Sequence, residues 1–244
     1  MARKATPART RVVRAAKATV PARGQRKRGG PRAAASASEN TPYHHGALRD
    51  ALLQAAERVL ERDGLSGLTL RAVAREAGVS HAAPTHHFGD LTGLVSELAA
   101  IGFRQFNAAM AAAGASATAP LEKAMARARA YVAYAQAHPG MYGLMFRTER
   151  LDMSRPSLCE AANASFAGLA GAIGASRQEQ ISEQALSLGQ AADIARAWSL
   201  VHGFTMLLLD GRLSDILHRL PKGTDASMLL DAMLKRAIGQ VPVA

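Results

Sequence analysis

Two short runs at helical spacing, Leu70–Ala77 and His81–His87, are separated by only three residues, Gly78-Val79-Ser80. So short a connection, with a glycine in it, turns the chain sharply and sets two helices at a wide angle, the helix-turn-helix geometry. Thr69 is the expected N-cap of the first of these helices, with Leu70, Val73 and Ala74 facing inward. Val79 is an apolar turn residue that pins the corner to a core, and Ser80 is the expected N-cap of the second helix. Ahead of them, Gly46–Arg62 carries Leu48, Leu52, Ala55, Ala56, Val59 and Leu60 at helical spacing and should end at Asp63-Gly64. Pro84 is tolerable only near a helix start, so the third helix should begin late, near Ala82 or Ala83.

Longer helices are expected beyond Phe88-Gly89-Asp90. Leu91–Ala113 carries Leu94, Leu98, Ile101, Phe103 and Phe106. A small-residue linker, Gly114–Ala119, leads to Pro120 at a first helical position. That helix reaches His138, where Pro139-Gly140 breaks it, and Met141–Phe146 is a short helix or turn. Arg155–Ile173, Ala191–Leu209 and Ala226–Ile238 follow. Strand-favouring residues are sparse, so the expected class is all-α with about nine helices. The expected division is a three-helix unit with the helix-turn-helix (43–90) and a longer helical region (91–244).

The formal charge of +11 is concentrated at one end. Residues 1–42 hold eleven bases and one acid, whereas the remainder is almost neutral with nineteen bases and eighteen acids. Pro7, Pro21, Pro31, Pro42 and Gly29-Gly30, without apolar periodicity, mark this stretch as a disordered basic arm. A basic arm on a neutral body points to a polyanion, first of all nucleic acid. The single cysteine, Cys159, excludes an internal disulfide and any cysteine-based zinc site. Neither His44-His45 nor His86-His87 can turn both rings to one ion, so no metal and no cofactor is expected. No apolar run is long enough to span a membrane, and the expected location is the cytoplasm, with the nucleoid. The sequence contains no phosphate-cradling glycine loop, paired catalytic carboxylates or hydrolase elbow, so no enzyme activity is expected.

The second helix of the corner should read base edges. Its candidates are Ser80, His81, Ala82, Ala83, Thr85, His86 and His87. An alanine methyl meets a thymine methyl, and a threonine hydroxyl donates or accepts at a base edge. Arg71 and Arg75, on the bracing helix, are placed to meet phosphates, and Thr69 at its start is a further DNA-contact candidate.

The stretch from Tyr43 to Phe103 resembles the DNA-binding region of the TetR (tetracycline-repressor) family. The resemblance rests on Leu48-Arg49-Asp50-Ala51-Leu52-Leu53, on Leu68 through Ser80, and on His87-Phe88-Gly89-Asp90. Tyr43-His44-His45-Gly46 and Ser80-His81-Ala82-Ala83-Pro84 look like one subgroup, whose C-terminal domain bears a Trp-His-Gly signature matched here by Trp198, His202 and Gly203. Two places depart from the family pattern. Thr85 stands where the family usually has a phosphate-contacting Tyr, and Leu91 where it usually has Lys. The basic arm is expected to compensate with nonspecific phosphate contacts, and its deletion should then flatten the salt dependence of DNA binding.

The resemblance implies a small-molecule pocket in the helical domain. Met125, Tyr131, Tyr134, Met141, Phe146, Phe166, Trp198 and His202 are its candidate lining, each equally readable as plain core. It also implies a homodimer paired through the last two long helices. Independently, the 191–209 helix is apolar on most sides, which calls for a second covering surface. The leading reading is a homodimeric repressor that binds a two-fold symmetric operator in double-stranded DNA and is released by a small-molecule effector. The alternatives are a nonspecific architectural DNA-binding protein acting through its arm, and a helical binding module that does not read DNA.

Overall fold

The computed structural model describes residues 45–182 and 184–238, with side chains for 46–182 and 184–237. The expected arm, and with it Tyr43 and His44, lies outside the described residues. Among the described residues the fold is all-α, with ten helices rather than about nine and one 3₁₀ turn at Thr148–Arg150.

Helix α1 (His45–Gly67) is interrupted at Gly64, whose φ of 67° ends the regular helix after Asp63. The first helix thus ends at Asp63-Gly64 as expected, and the chain then makes one more short helical turn to Gly67. Helix α2 (Leu70–Glu76) starts on Thr69, whose Oγ1 accepts the Ala72 N–H at 3.1 Å. It ends where Gly78, at φ 69°, lets the Gly78 N–H donate to the Arg75 carbonyl and the Val79 N–H to the Ala74 carbonyl. Those two bonds close a Schellman motif, and half-buried Val79 packs on the core beside it.

Helix α3 (Ala82–Phe88) begins as late as Pro84 requires. Pro84 occupies the third helical position, where the missing N–H has no intrahelical partner to lose. One expectation is corrected here: Ser80 is not the cap. His81 holds that place in a helical conformation without a side-chain bond, and Ser80 contributes only its carbonyl, which accepts the Ala83 N–H at 3.0 Å.

Helix α4 (Leu91–Ala115) is capped by Asp90, whose Oδ1 accepts the Gly93 N–H at 2.7 Å. It absorbs the first residues of the expected linker. Helix α5 (Pro120–Ala137) opens on Pro120 as expected, but Pro139 starts α6 (Pro139–Met145) rather than merely breaking α5. The reason is burial: Met141, Tyr142, Leu144 and Met145 all reach the core, which holds these seven residues as a helix. Helix α7 (Pro156–Arg177) runs past Ile173. Helix α8 (Leu188–Leu209) starts three residues earlier than its apolar pattern, because Ser187 and Gln190 form a reciprocal capping box. Helix α9 (Ser214–His218) is too short and mixed for periodicity to show, and α10 (Ala226–Ile238) closes the described chain.

The main core gathers α1, α2, α3, α4, α6, one face of α5 and the start of α7 around Leu52, Val59, Phe88, Leu94, Leu98, Phe106 and Tyr131. A smaller core joins α5, α8 and α10 through Met125, Val132, Phe204, Leu230 and Leu234. Arg129 clamps that joint from outside, donating to both carboxylate oxygens of Asp231 at 2.8 and 2.6 Å.

Phe106 is 2% exposed and packs edge-on against Tyr131 and Tyr134 at ring-centre distances of 4.8 and 5.4 Å. Phe106→Ala should therefore lower the unfolding free energy by about 3–5 kcal/mol, read from denaturant melts, with the helical content of the native state preserved.

Candidate nucleic-acid interface

Helix α3 presents two unlike sides. Pro84 and Phe88 are buried, while Ala82, Thr85 and His86 are exposed, as is His81 just before the helix. Ala83 and His87 are half-buried, and the His87 ring lies 5.4 Å from that of His86. Ser80, Thr69, Arg71 and Arg75 are exposed around the same corner. The Thr69 hydroxyl accepts the α2 capping bond, which fixes its position and leaves its proton free to donate.

Charge around the corner is partly spent inside the protein. Glu76 on α2 accepts from Arg58 Nε and Arg62 Nη1 of α1, both at 2.9 Å, and Asp63 accepts from Arg62. Hydrogen bonds from Arg58, then from Arg62, hold the Glu76 carboxyl below its usual range, and Arg62 does the same for Asp63. These pairs brace α2 on α1.

The far end of α3 is held by residues that spacing alone did not single out. The Arg49 guanidinium lies 5.5 Å from the centre of the Phe88 ring, a cation–π distance, and donates to Glu97 Oε2 at 2.6 Å. Arg155, at the start of α7, donates from Nη2 to the Phe88 carbonyl at 3.3 Å and places Nη1 3.6 Å from Glu97 Oε1. Ser157 donates to that same oxygen at 3.0 Å. These contacts join residues 39 to 67 positions apart, from Arg49–Phe88 (88 − 49) to Phe88–Arg155, and no local pattern in the sequence announces them.

The eight residues expected to line a pocket fall into different settings. Met125 belongs to the smaller core, and Tyr131, Tyr134 and Met141 to the main one, where Phe146 packs against it. Phe166 is half-buried, and Trp198 is 50% exposed. Two clefts of about 220 and 230 Å³ open elsewhere, one beside Leu65, Leu91 and Arg150, the other beside Arg104, Asn107 and Glu160, and neither is lined by any of the eight.

Part of the set meets in a polar cluster. Nδ1 of His202 lies 2.9 Å from the Tyr131 hydroxyl and 2.8 Å from that of Tyr142, and the two hydroxyls are 3.1 Å apart. Burial pushes the Tyr142 and Tyr134 phenols up to about 12, and Tyr131 further, so all three remain protonated donors. Tyr134 uses its proton on the Gly102 carbonyl at 3.2 Å. Burial also lowers the pKa of His202, which keeps the ring neutral and able to accept at Nδ1. Trp198 and Phe146 flank the imidazole at ring-centre distances of 6.1 and 4.8 Å.

Two stretches of the chain match known families. Residues 52–98 match the family described as bacterial regulatory proteins, tetR family, and residues 124–236 match the tetracyclin repressor-like C-terminal domain. The chain belongs to the TetR family. It is thus a DNA-binding transcriptional regulator, and α2 and α3 are its helix-turn-helix. A protein described as of unknown function from Rhodococcus sp. RHA1 is 32% identical, with 81% of this chain and 96% of that one covered at a TM-score of 0.65. A putative tetR family transcription regulator from Shewanella sp. PV-4 shares the fold at 18% identity, covering 78% and 97% of the two chains with a TM-score of 0.55. So does the transcriptional regulator FadR from Bacillus subtilis, solved in complex with stearoyl-CoA, at 13% identity, 79% and 98% coverage and a TM-score of 0.54. No curated protein matches this TetR-family chain. Among the described residues, no helix is long and apolar enough to cross a membrane, and no three His, Cys, Asp or Glu side chains are grouped to hold a metal ion.

The lowered pKa of His202 has a testable sign. Below its usual 6.5 the unfolded chain binds the proton more readily than the folded one. Stability is then complete above that value and is lost as pH falls through the lower, folded value. Melting temperatures of wild type and His202→Gln between about pH 7 and about pH 5 should show the shallower decline in the variant.

Proposed function

We propose that this TetR-family regulator is a homodimeric repressor that reads a two-fold symmetric operator and is released by a small-molecule effector. The observation that carries the DNA half of the reading is the two-sidedness of α3. A seven-residue helix buries Pro84 and Phe88 and leaves Ala82, Thr85 and His86 outward, beside His81. Small Ala82 and Thr85 let the helix approach the major-groove floor and suit thymine methyls and base edges, and the His81 and His86 rings can donate to base-edge acceptors. Ser80, Ala83, His87, Thr69 and Arg71 complete the proposed contact set, the last two toward phosphates. This surface belongs to a DNA-binding domain over 43–90, with the effector and dimer functions in 91–244 and a basic arm in 1–42.

The homodimer reading rests on the outer arc of α8. By helical spacing Leu188, Ala192, Ala195, Ser199 and Met206 share one exposed side, with Trp198 and Leu207 at its edges. Ile216 on α9 and Met228 on α10 are also about half exposed. Contiguous exposed apolar surface of this kind marks an association face, and a two-fold axis there pairs α8 and α10 with their copies. The effector site proposed is the region of Met125, Tyr131, Tyr134, Met141, Phe146, Phe166, Trp198 and His202, with the Tyr131–Tyr142–His202 cluster as its polar handle. An effector that binds best when the two recognition helices are wrongly spaced lowers operator affinity by its preference for that state. The Trp198-His202-Gly203 pattern is taken as the mark of a subgroup with this type of C-terminal domain, and the place of action as the cytoplasm, at the nucleoid.

Two experiments test these parts. A duplex selected from a random pool by the purified protein should be bound tightly by wild type. Thr85→Ala with His86→Ala should weaken that binding by at least about tenfold while leaving scrambled duplex unaffected. Equal loss on both duplexes would favour the architectural alternative, in which the arm dominates. For the association face, Trp198→Glu with Met206→Glu should convert a dimer to a monomer in sedimentation. A double variant that still sediments as a dimer rejects this surface.

A further inference from the structure

We infer that Arg155 is a positioning residue through which the helical C-terminal region holds the recognition helix in register, a regulatory link that rests on the DNA-reading role proposed above. Phe88 ends α3, and its carbonyl is among those left without an intrahelical partner. Its carbonyl is held by Arg155 Nη2 at 3.3 Å, and its ring sits under Arg49 at 5.5 Å. The two cations come from opposite ends of the chain's logic, α1 of the reading unit and the start of α7. One carboxylate serves both: Glu97 Oε2 takes Arg49, while Oε1 faces Arg155 and Ser157. The last residue of the recognition helix is therefore gripped from two sides by arginines anchored on a single α4 side chain.

Three further features show that this approach is built rather than incidental. Gly93 leaves the space for it: a Cβ there would lie 2.0 Å from the Phe88 carbonyl oxygen and 2.5 Å from Arg155 Nη2. The segment before α7 is fastened to the same stretch of α4, because the Asp152 N–H donates to fully buried Ser96 Oγ at 2.9 Å. Arg155 Nε is buried without a hydrogen-bond partner, with the Asp152 carboxylate 3.6 Å away. An arginine on the surface would have satisfied that nitrogen with water, so the guanidinium is turned inward for the Phe88 carbonyl and Glu97 at a cost. The bond to Phe88 is already long, and withdrawal of the start of α7 by about 1 Å takes it out of hydrogen-bonding range. Any change in the C-terminal helices that moves α7 against α4 is thereby delivered to the end of α3.

Hydrogen exchange on the full chain tests the link without any ligand. In Arg155→Gln, the amides of Thr85 to Gly89 should exchange about tenfold faster, the scale of losing one charge-assisted bond, while those of α2 and α5 keep their rates. Gly93→Ala should do the same, although alanine is ordinarily the better helix former. Unchanged rates at 85–89 in either variant, or a rise spread evenly over α1 to α5, would overturn the inference and leave Arg155 a general packing contact. A second readout is affinity for a duplex selected by wild type from a random pool. Arg155→Gln should lose about tenfold on that duplex and nothing on a scrambled one, and equal loss or no loss overturns the link. If wild type selects no duplex, the DNA reading itself has failed, and the exchange rates alone decide the positioning role.

Discussion

Helix α4 is inaccessible over most of its first four turns, with Leu94, Leu98, Ala99 and Ala100 fully buried and Phe103 and Phe106 nearly so. A helix covered on this many sides cannot shift without repacking everything that touches it. It receives α1, α3, α5, α6 and α7, the last from Glu97, met by Arg155 and Ser157, to Asn107, met by Ala161 and Ser165. The family description for DNA-binding regulators ends at residue 98, within this helix, so the reading unit and the helical region share one rod. Close packing around the rod explains its unusual share of small residues. Gly102 accommodates Met141 and Met145, and Gly93 accommodates the Phe88 carbonyl and Arg155, so each glycine marks where a neighbour comes closer than a side chain permits.

The parts of the fold that local chemistry controls were legible in the sequence. Thr69 as a cap, Gly78 at the corner, Pro120 at a helix start and the late beginning forced by Pro84 all follow from the bonding needs of one or two residues. Ser80 was misread because its type favours caps, whereas the tight turn after Gly78 already places His81 in helical geometry. The short helix expected at Met141–Phe146 is present, but its start was obscured by Pro139-Gly140, which reads as a break and here opens the helix. Helix α9 has too few residues for a period. The bonds of Arg155 to Phe88 and of Ser157 to Glu97 were invisible because they depend on α7 lying beside α3 and α4, and separations of 67 and 60 residues leave no spacing to read.

The residues singled out as a pocket show a different limit. Tyr131, Tyr142 and His202 are brought together, but as a hydrogen-bonded cluster inside packed aromatic surroundings. Composition and helical spacing identify such residues as inward-facing. They do not distinguish a filled interior from one that opens for a ligand, because both need the same apolar faces. The polar atoms carry the finer information: three groups whose bonds are mutually satisfied rigidify the centre of the helical region, and any guest that entered would have to replace those bonds.

Pro84 has a consequence for how such a protein changes its target. Its ring is buried at the third position of α3, so the helix cannot lengthen toward its start or slide by a residue without expelling it. The frame of the reading surface is therefore fixed, while the outward positions 82, 85 and 86 contribute little to the core. On the DNA-reading role proposed for α3, divergence toward a new DNA sequence has an open route through substitution at those three positions, with the scaffold kept.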